Sequence, residues 1–222
     1  MKKIYFVLSL FGVIYFQCCQ AEEPVFREPI EWCDIWVSSA HLADRPRVLL
    51  VGDSITKAYY STVEKKLEGL AYCARLATSA CIADPAFQQQ LEGLLSQYNF
   101  DVIHFNNGLH QFSYNNERYQ RGYKQALETI KRLVPSANVI LALSTPLQST
   151  GDKAYLTPRV DQRNQIVQAL AQEYGFEIDD LYSLSKGHPE YYKDPVHYKP
   201  ETVVLQGNQV ASVIQKALTN RK

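Results

Sequence analysis

The sequence predicts an α/β protein in which a parallel sheet lies between two layers of helices. Three observations lead to this prediction. Apolar segments typical of strands alternate five times with amphipathic segments typical of helices. The first strand segment, "RVLLV", is continuously aliphatic, which indicates burial on both faces of a sheet. The connections are short, as expected when each helix returns the chain to a neighbouring parallel strand.

The N-terminal region precedes this pattern and has a different composition. A basic start, "MKK", is followed by an apolar run at residues 4–16 that is too short to span a bilayer. This arrangement is typical of a secretory signal peptide, and Ala21 supplies a small residue for cleavage. We therefore expect a signal peptide over residues 1–21 and a secreted or periplasmic protein. Lipidation at Cys18 or Cys19 is the alternative.

Residues 22–45 carry no clear helix or strand pattern, and we expect an irregular extension that packs on one domain formed by residues 46–222. Within that domain each unit has its own boundary signals. Asp84 and Pro85 begin the second helix, Pro135 ends the third, and Gly175 ends the fourth. The predicted strands lie at 47–54, 71–80, 100–108, 137–146 and 176–184, and the predicted helices lie at 54–70, 84–98, 116–134, 159–175 and 201–218.

Composition and charge exclude several classes of function. The chain has 23 basic and 23 acidic residues, and loss of Lys2 and Lys3 with the leader would make it slightly acidic. We therefore expect neither nucleic-acid binding nor attraction to an anionic membrane, and no membrane span. Three cysteines remain, Cys33, Cys73 and Cys81, so at most one disulfide can form. Neither C-x-x-C nor H-E-x-x-H occurs, and we expect no metal and no cofactor.

Ser54 follows the first strand in "VGDS" and begins the first helix. Asp and Ser are common helix N-caps, so a structural role alone would explain the string. A serine at this position is also surrounded by free backbone N–H groups and by the positive end of the helix dipole. Both would stabilise an anion that forms beside its hydroxyl.

Asp194 and His197 lie near the end of the chain in "KDPVHYKP". A spacing of three lets both side chains project from the same side of a turn. The carboxylate could then hold one imidazole nitrogen while the other accepts a proton from a serine. Alternatively, both are ordinary residues of a solvated loop. Ser54 on a repeated α/β chain favours the catalytic interpretation.

Together, "GDSIT" and "DPVH" resemble the motifs of the SGNH (GDSL-type) hydrolases, over roughly residues 46–219. The resemblance implies a flavodoxin-like three-layer sandwich with a five-stranded sheet in the order 2-1-3-4-5. It also implies ester hydrolysis through an acyl-serine intermediate, with Ser54 as nucleophile, His197 as base and Asp194 as orienting acid. The sequence lacks the G-x-S-x-G elbow of the α/β-hydrolases, which disfavours that other serine-esterase fold.

The middle motifs of the family match less well, and they concern the oxyanion hole. The resemblance implies three donors: the N–H of Ser54, a backbone N–H after the second strand and a side chain after the third. The best counterpart of the second donor is Ala77, where the family has glycine. His110 stands where the family has asparagine; Asn107 is the alternative donor and Asn106 a weaker one.

Four other residues have both a functional and a structural interpretation. His104 lies inside the third strand, and we interpret it as a core histidine. Arg75 could either contact substrate or form a structural ion pair. Tyr59 and Tyr60 follow the candidate nucleophile on its helix, where packing is the default interpretation.

The loops expected around the site, at 109–117 and 145–157, are polar and aromatic rather than aliphatic. We therefore expect a secreted esterase that removes short acyl groups, acetyl above all, from a small-molecule or glycan ester, which makes it a carbohydrate O-deacetylase. A lysophospholipase or thioesterase activity is the alternative within the family. A non-catalytic glycan-binding relative is the alternative outside it, motivated by the missing asparagine.

Overall fold

The structure, a computed structural model, describes residues 24–220. The expected signal peptide and the two candidate lipidation cysteines lie outside the described residues. The strands are β1 (Cys33–Val37), β2 (Arg47–Gly52), β3 (Tyr72–Thr78), β4 (Val102–Phe105), β5 (Asn138–Ala142) and β6 (Glu177–Asp179). The helices are α1 (Ser54–Lys66), α2 (Pro85–Leu95), α3 (Asn116–Leu133), α4 (Thr157–Tyr174), α5 (Leu181–Ser185) and α6 (Pro200–Thr219).

The six strands form one sheet in the order β1-β3-β2-β4-β5-β6. The five strands from β2 to β6 are parallel and lie in the order 2-1-3-4-5 when counted by themselves. The predicted fold class and strand order are therefore confirmed.

The predicted number of five strands is wrong by one. The segment expected to be irregular contributes β1, which runs antiparallel to β3 with Cys33 opposite Thr78 and Val37 opposite Ala74. This pairing satisfies the backbone groups along the edge of β3, which would otherwise be exposed.

The alternation of side chains along β2 divides the core into two halves. Leu49 and Val51 face the layer formed by α2, α3 and α4. Val48 and Leu50 face the opposite layer, which contains α1 and α6. All four are fully buried, as the continuous aliphatic run predicts for a strand covered on both faces.

The boundaries of the long helices follow the predicted signals. The side chains of Asp53, Asp84 and Asn115 cap α1, α2 and α3 by accepting a backbone N–H of the first turn. Gly175 ends α4 with a φ of 71°, a conformation that glycine adopts without strain. The predicted fifth strand is shorter than expected, because Asp180 caps the short helix α5 immediately after β6.

Close packing of α1 against α6 brings the two candidate catalytic segments together. A Cβ atom on Gly207 of α6 would lie only 2.6 Å from the Cβ of Thr62 on α1, so the two helices can approach this closely because residue 207 is glycine. Ser54 is the first residue of α1, and the loop with Asp194 and His197 leads directly into α6. Among residues 24–220, no helix is long and apolar enough to cross a membrane.

Candidate active site

Ser54 lies at the carboxyl edge of the sheet, where β2 ends and α1 begins. Gly52 allows this turn to be tight, because a Cβ there would lie 2.0 Å from Oγ1 of Thr56. Asp53 accepts the N–H of Ile55 at 2.9 Å. The N–H of Ser54 belongs to the first turn of α1, whose N–H groups have no acceptor within the helix. The hydroxyl therefore lies at the start of α1, near the positive end of the helix dipole.

The structure brings Ser54, His197 and Asp194 together. Oγ of Ser54 lies 2.9 Å from Nε2 of His197, and Nδ1 of His197 lies 3.0 Å from each carboxylate oxygen of Asp194. Because a carboxylate only accepts hydrogen bonds, Nδ1 carries the hydrogen in this arrangement. Nε2 of the neutral ring is then free to accept the Ser54 proton.

Asp194 is held as a carboxylate by its own loop. Its Oδ1 accepts the backbone N–H of Val196 at 3.0 Å and that of His197 at 2.8 Å. Partial burial raises the pKa of Asp194, but these two N–H groups and the His197 ring outweigh it and hold the pKa below its usual value. The acid therefore remains ionised where the imidazole needs it.

The loop that carries Asp194 and His197 is fixed by two tyrosines at its base. The hydroxyl groups of Tyr192 and Tyr198 each donate to the carbonyl oxygen of Pro146 at 2.9 Å. The N–H of Gln148 donates to the carbonyl oxygen of Pro195 at 3.0 Å. These bonds attach the loop to the segment that follows β5, and they restrict the position of the His197 ring.

His110 lies in the loop after β4, which is the direct neighbour of β2 in the sheet. Because parallel strands end at the same edge, His110 and Ser54 lie on the same side of the sheet. The ring is mostly buried, its Nδ1 lies 3.0 Å from Oε1 of Glu28, and its edge meets the ring of Trp32. Burial lowers the pKa of His110, but the bond to Glu28 and the charge of Asp53 outweigh it and raise that pKa overall.

The other predicted oxyanion donors have partners elsewhere. Ala77 lies within β3 between Asp34 of β1 and Gly52 of β2, so its backbone N–H points toward a neighbouring strand. The Asn107 amide accepts from Ile82 and donates to the carbonyl of Ala80.

The amide of Asn106 donates to the carbonyl oxygen of Ala142 at 2.8 Å and to the Ser144 hydroxyl at 3.3 Å, so both of its hydrogens are engaged. Two of the proposed side-chain donors therefore keep a group without a hydrogen bond to the described residues: the Nε2 of His110 and the second amide hydrogen of Asn107.

Arg163 of α4 fixes the loop that carries His110, a role that sequence reasoning missed. Its guanidinium is fully buried and donates to three backbone carbonyls: those of Gly108 at 2.9 Å, His110 at 2.8 Å and Gln111 at 3.1 Å. Gln111 has a positive φ of 49°, which is uncommon for a residue other than glycine. The buried guanidinium of Arg163 thus fixes the backbone of this loop through three hydrogen bonds.

Residues 24–32, here called the N-terminal strap, cover the same loop from above. Oε1 of Glu28 accepts a hydrogen bond from the N–H of Gln111 at 3.1 Å and also contacts Nδ1 of His110. Glu31 accepts the Gln111 amide at 2.9 Å and the Ser79 hydroxyl at 2.8 Å. Arg27 forms an ion pair with Asp84. The first described residues therefore form part of the wall at the carboxyl edge of the sheet.

A groove of about 580 Å³ begins at Ser54 and His197 and runs between α1 and the start of α6. Part of its wall is aliphatic and part is polar. The aliphatic side chains are those of Ile55, Ala58, Pro200, Val203 and Val204, and the polar ones include Ser61, Thr62, Lys193 and Gln206. Its size and mixed lining fit a small organic ligand.

The remaining candidates have structural surroundings. His104 is fully buried, with Nε2 at 2.9 Å from Asp179, and Tyr59 and Tyr60 pack in the core. Arg75 pairs with Asp34 through two nitrogens, at 2.9 and 3.3 Å. Cys33, Cys73 and Cys81 are free thiols. Within the described part of the chain, no group of three or more His, Cys, Asp or Glu side chains is placed to hold a metal ion.

No protein-family model matches the sequence, and no curated protein matches it either. Solved structures do match the fold. A carbohydrate esterase of family 3 from Talaromyces cellulolyticus is 13% identical with a TM-score of 0.65, over 80% of this chain and 100% of that one. A GDSL-like lipase from Bacteroides thetaiotaomicron is 18% identical with a TM-score of 0.64, over 80% and 94%. The acetyl xylan esterase AlAXEase is 16% identical with a TM-score of 0.59, over 76% and 99%.

These similarities confirm the fold that the "GDSIT" and "DPVH" motifs imply. The chain has the three-layer fold of GDSL-type esterases and acylhydrolases, and it spans nearly the whole length of the solved structures that it matches. At such low identities the likeness concerns the fold, so the chemistry has to be argued from the side chains of this chain.

Proposed function

We propose that the chain is a serine esterase of the GDSL type that hydrolyses short acyl esters of a carbohydrate. The observation that carries the proposal is the contact of Ser54 Oγ with His197 Nε2 at 2.9 Å, together with the Asp194 carboxylate on the opposite ring nitrogen. A serine that served only as part of a helix start would need neither of these partners. The GDSL-type fold supports the same chemistry by analogy.

The reaction follows from the protons of these three groups. His197 takes the Ser54 proton at Nε2 while Oγ attacks the ester carbonyl, and Asp194 stabilises the imidazolium that forms. His197 then protonates the departing alcohol, which leaves an acyl group on Ser54. Water attacks that acyl group with His197 again as the base, and the carboxylic acid leaves.

The oxyanion forms beside the start of α1. The N–H of Ser54 and the helix dipole stabilise it, and the His110 side chain is the additional donor in this proposal. The Ala77 N–H points toward a neighbouring strand, so we do not include it among the donors. Asn107 gives one of its two amide hydrogens to the carbonyl oxygen of Ala80, which leaves the other for an oxyanion, so Asn107 remains the alternative side-chain donor.

The walls of the site favour a polar alcohol. On the His110 side, the half-buried ring of Trp32 lies next to the Glu28 carboxylate, a hydrogen-bond acceptor, and Lys57 Nζ lies 5.6 Å from the centroid of that ring. This combination suits a sugar, whose ring carbons stack on aromatic residues and whose hydroxyl groups seek polar partners. Two of the structural neighbours, an acetyl xylan esterase and a carbohydrate esterase, act on such substrates by name.

One observation favours a second candidate, an acyl hydrolase for longer chains such as a thioesterase or lysophospholipase. The groove between α1 and α6 starts at Ser54 and has aliphatic residues along one wall, including Val203 and Val204. An acyl chain could lie there. Ala58 is exposed in this groove, so Ala58→Phe should fill it.

The first experiment measures hydrolysis of p-nitrophenyl acetate by the purified protein and by Ser54→Ala. We expect the variant to lose about a thousandfold or more of the activity. The matched control is Ser96→Ala, an exposed serine at the end of α2 and outside the groove, which should retain activity. No turnover above the Ser54→Ala background would contradict the proposal and favour the non-catalytic glycan-binding alternative.

A second experiment compares p-nitrophenyl acetate with the octanoate ester, and acetate release from acetylated xylan with that from other acetylated glycans. A carbohydrate deacetylase should prefer acetate and should keep that activity in Ala58→Phe. Preference for octanoate that is lost in Ala58→Phe would instead support the longer-chain candidate.

We further propose that the protein is exported. The support is the basic start and apolar run before Ala21, residues that lie outside the described part of the chain. N-terminal sequencing of the protein recovered from the medium or periplasm should begin at Glu22. A lipid-modified Cys18 or Cys19 at the N-terminus would contradict cleavage at Ala21.

A further inference from the structure

The carboxyl edge of the sheet carries a second imidazole–carboxylate pair beside the Asp194–His197 pair. Nδ1 of His110 lies 3.0 Å from Oε1 of Glu28, the same ring nitrogen and the same distance as between His197 and Asp194. The difference is at the other nitrogen. Nε2 of His197 contacts Ser54, whereas Nε2 of His110 makes no hydrogen bond to any residue between 24 and 220.

The contact with Glu28 determines what Nε2 of His110 can do. A carboxylate accepts hydrogen bonds, so the Nδ1 of His110 carries a hydrogen in either protonation state. In the neutral ring, Nε2 then has only a lone pair and cannot donate to an oxyanion. In the imidazolium both nitrogens donate, and Nε2–H adds a positive charge to its hydrogen bond.

The charges around His110 favour the imidazolium. Glu28 contacts the ring from the strap, and the charges of Glu31 in the strap and of Asp53 before α1 act on it at longer range. Within the described residues, Oδ2 of Asp53 is buried and has no hydrogen-bond partner, so a cation near it would be stabilised.

Two cations oppose these three carboxylates. Arg163 donates to the carbonyl oxygen of His110 from α4, and Lys153 lies near Glu28 from the loop after β5. The side chain of Arg163 is already engaged by three carbonyls, and Lys153 acts on Glu28 rather than on the ring. Geometry and charge therefore both favour a proton on Nε2.

We propose that Glu28 is a positioning residue that holds His110 as an imidazolium, and that the Nε2–H of this ring donates to the oxyanion formed at Ser54. The inference rests on the proposed esterase function. It adds Glu28 to the residues of the site, although Glu28 precedes the part of the sequence that resembles the GDSL-type hydrolases. The strap would thus complete the oxyanion hole where the expected asparagine is missing.

The proposal requires the imidazoles of His197 and His110 to be in opposite protonation states. His197 has to be neutral to accept the Ser54 proton, and His110 has to be protonated to donate. Activity should therefore fall at alkaline pH as His110 loses its proton. Because burial is outweighed by the bond to Glu28 and the charge of Asp53, which raise the pKa of His110, this alkaline limb should lie above the ordinary pKa of histidine.

The test is Glu28→Gln, which keeps an oxygen to accept the Nδ1–H but removes the negative charge. We expect the alkaline limb of kcat/KM to move to lower pH, with a tenfold loss of rate on that flank for each pH unit of movement. His110→Asn should remove the alkaline limb, because an amide donates at every pH. The matched control is Glu31→Gln, in the same strap but without a bond to His110, which should move the limb less.

A second measurement does not depend on turnover. In Ser54→Ala protein, an NMR titration of His110 should give a lower pKa when Glu28→Gln is added. An unmoved titration, or a uniform loss of rate in Glu28→Gln without movement of the limb, would overturn the proposal and leave the strap a structural element. Absence of Ser54-dependent hydrolysis in the unaltered protein would instead refute the proposed function, while the titration would still test the Glu28–His110 pair.

Discussion

The guanidinium of Arg163 lies 2.8 Å from the carbonyl oxygen of His110, so a fully buried cation holds the backbone of the residue proposed as an oxyanion donor. The same side chain stacks over the rings of Phe112 and Tyr119. Neither contact involves a carboxylate. The charge is stabilised by carbonyl dipoles and aromatic faces, and the loop depends on it.

Replacement of this residue should affect both stability and activity. Arg163→Met leaves buried carbonyl oxygens of the loop without a donor, and we expect a loss of about 2–4 kcal/mol in the free energy of unfolding. A lower kcat should accompany it, because the His110 ring loses its support. Urea denaturation and ester hydrolysis measure the two effects.

Arg159 provides the matched control. It lies one turn earlier on α4 and donates to the carbonyl oxygens of Phe112 and Tyr114, but not to His110. Because Arg159 is only partly buried, Arg159→Met should cost less stability and should leave kcat nearly unchanged. Equal effects from the two substitutions would show that the loop is not held specifically by Arg163.

Asp194→Asn tests whether Asp194 orients the His197 ring for transfer of the Ser54 proton. The variant can still contact His197, but its amide favours the wrong ring tautomer, and kcat should fall by about 10³–10⁴-fold. Asp44→Asn, at an exposed carboxylate before β2, is the control and should have no effect. A loss smaller than tenfold in Asp194→Asn would contradict the role of Asp194 as the orienting acid.

Asp194 should stay ionised at a pH where an ordinary aspartate begins to protonate. Despite partial burial, the N–H groups of His197 and Val196 and the His197 ring hold the pKa of Asp194 below its usual value, so this carboxylate protonates only below that value. An NMR titration of the Asp194 carboxyl carbon in Ser54→Ala protein should therefore give a lower pKa than that of an aspartate in an unstructured peptide. A pKa at or above that usual value would contradict the ionised state that the orienting role requires.

The packing of α1 against α6 leads to a prediction about stability. Gly207→Ala would place its Cβ 2.6 Å from the Cβ of Thr62 and should destabilise the fold by about 1–3 kcal/mol. Since Ser54 starts α1 and His197 precedes α6, the same change should lower kcat. Gly93→Ala, in α2 with no atom within 4 Å, is the control and should stabilise by about 0.5–1 kcal/mol. Equal midpoints in thermal unfolding would contradict the close contact.

The parts of the fold that the sequence predicts are those with a local signal. Continuous aliphatic strands such as β2, and capping residues such as Asp84, carry their structure in neighbouring residues. Ser54, Asp194 and His197 could be predicted as a site because two short motifs lie at known places in an α/β chain. The strand order followed from the family resemblance, not from the local pattern.

The parts that were missed depend on contacts between distant residues. Strand β1 contains Asp34 and lies at an edge, so "CDIWV" shows no clear alternation, and its pairing with β3 supplies the strand. Arg163 is fully buried, whereas an arginine in a helix is ordinarily expected to be exposed, so the sequence does not predict its role. Glu28 and His110 are 82 positions apart, and no motif links them.

The long-range hydrogen bonds of the strap predict the order in which the parts of the site form. Residues 24–32 form no strand or helix, and their bonds to the loop after β4 join residues about 80 positions apart. Such bonds carry the entropic cost of closing a long loop and have no local structure to precede them. In native-state hydrogen exchange, opening of the strap should therefore require less free energy than opening of β2 or β4. Residues 24–32 are therefore expected to be the last to reach their places and the first to leave them.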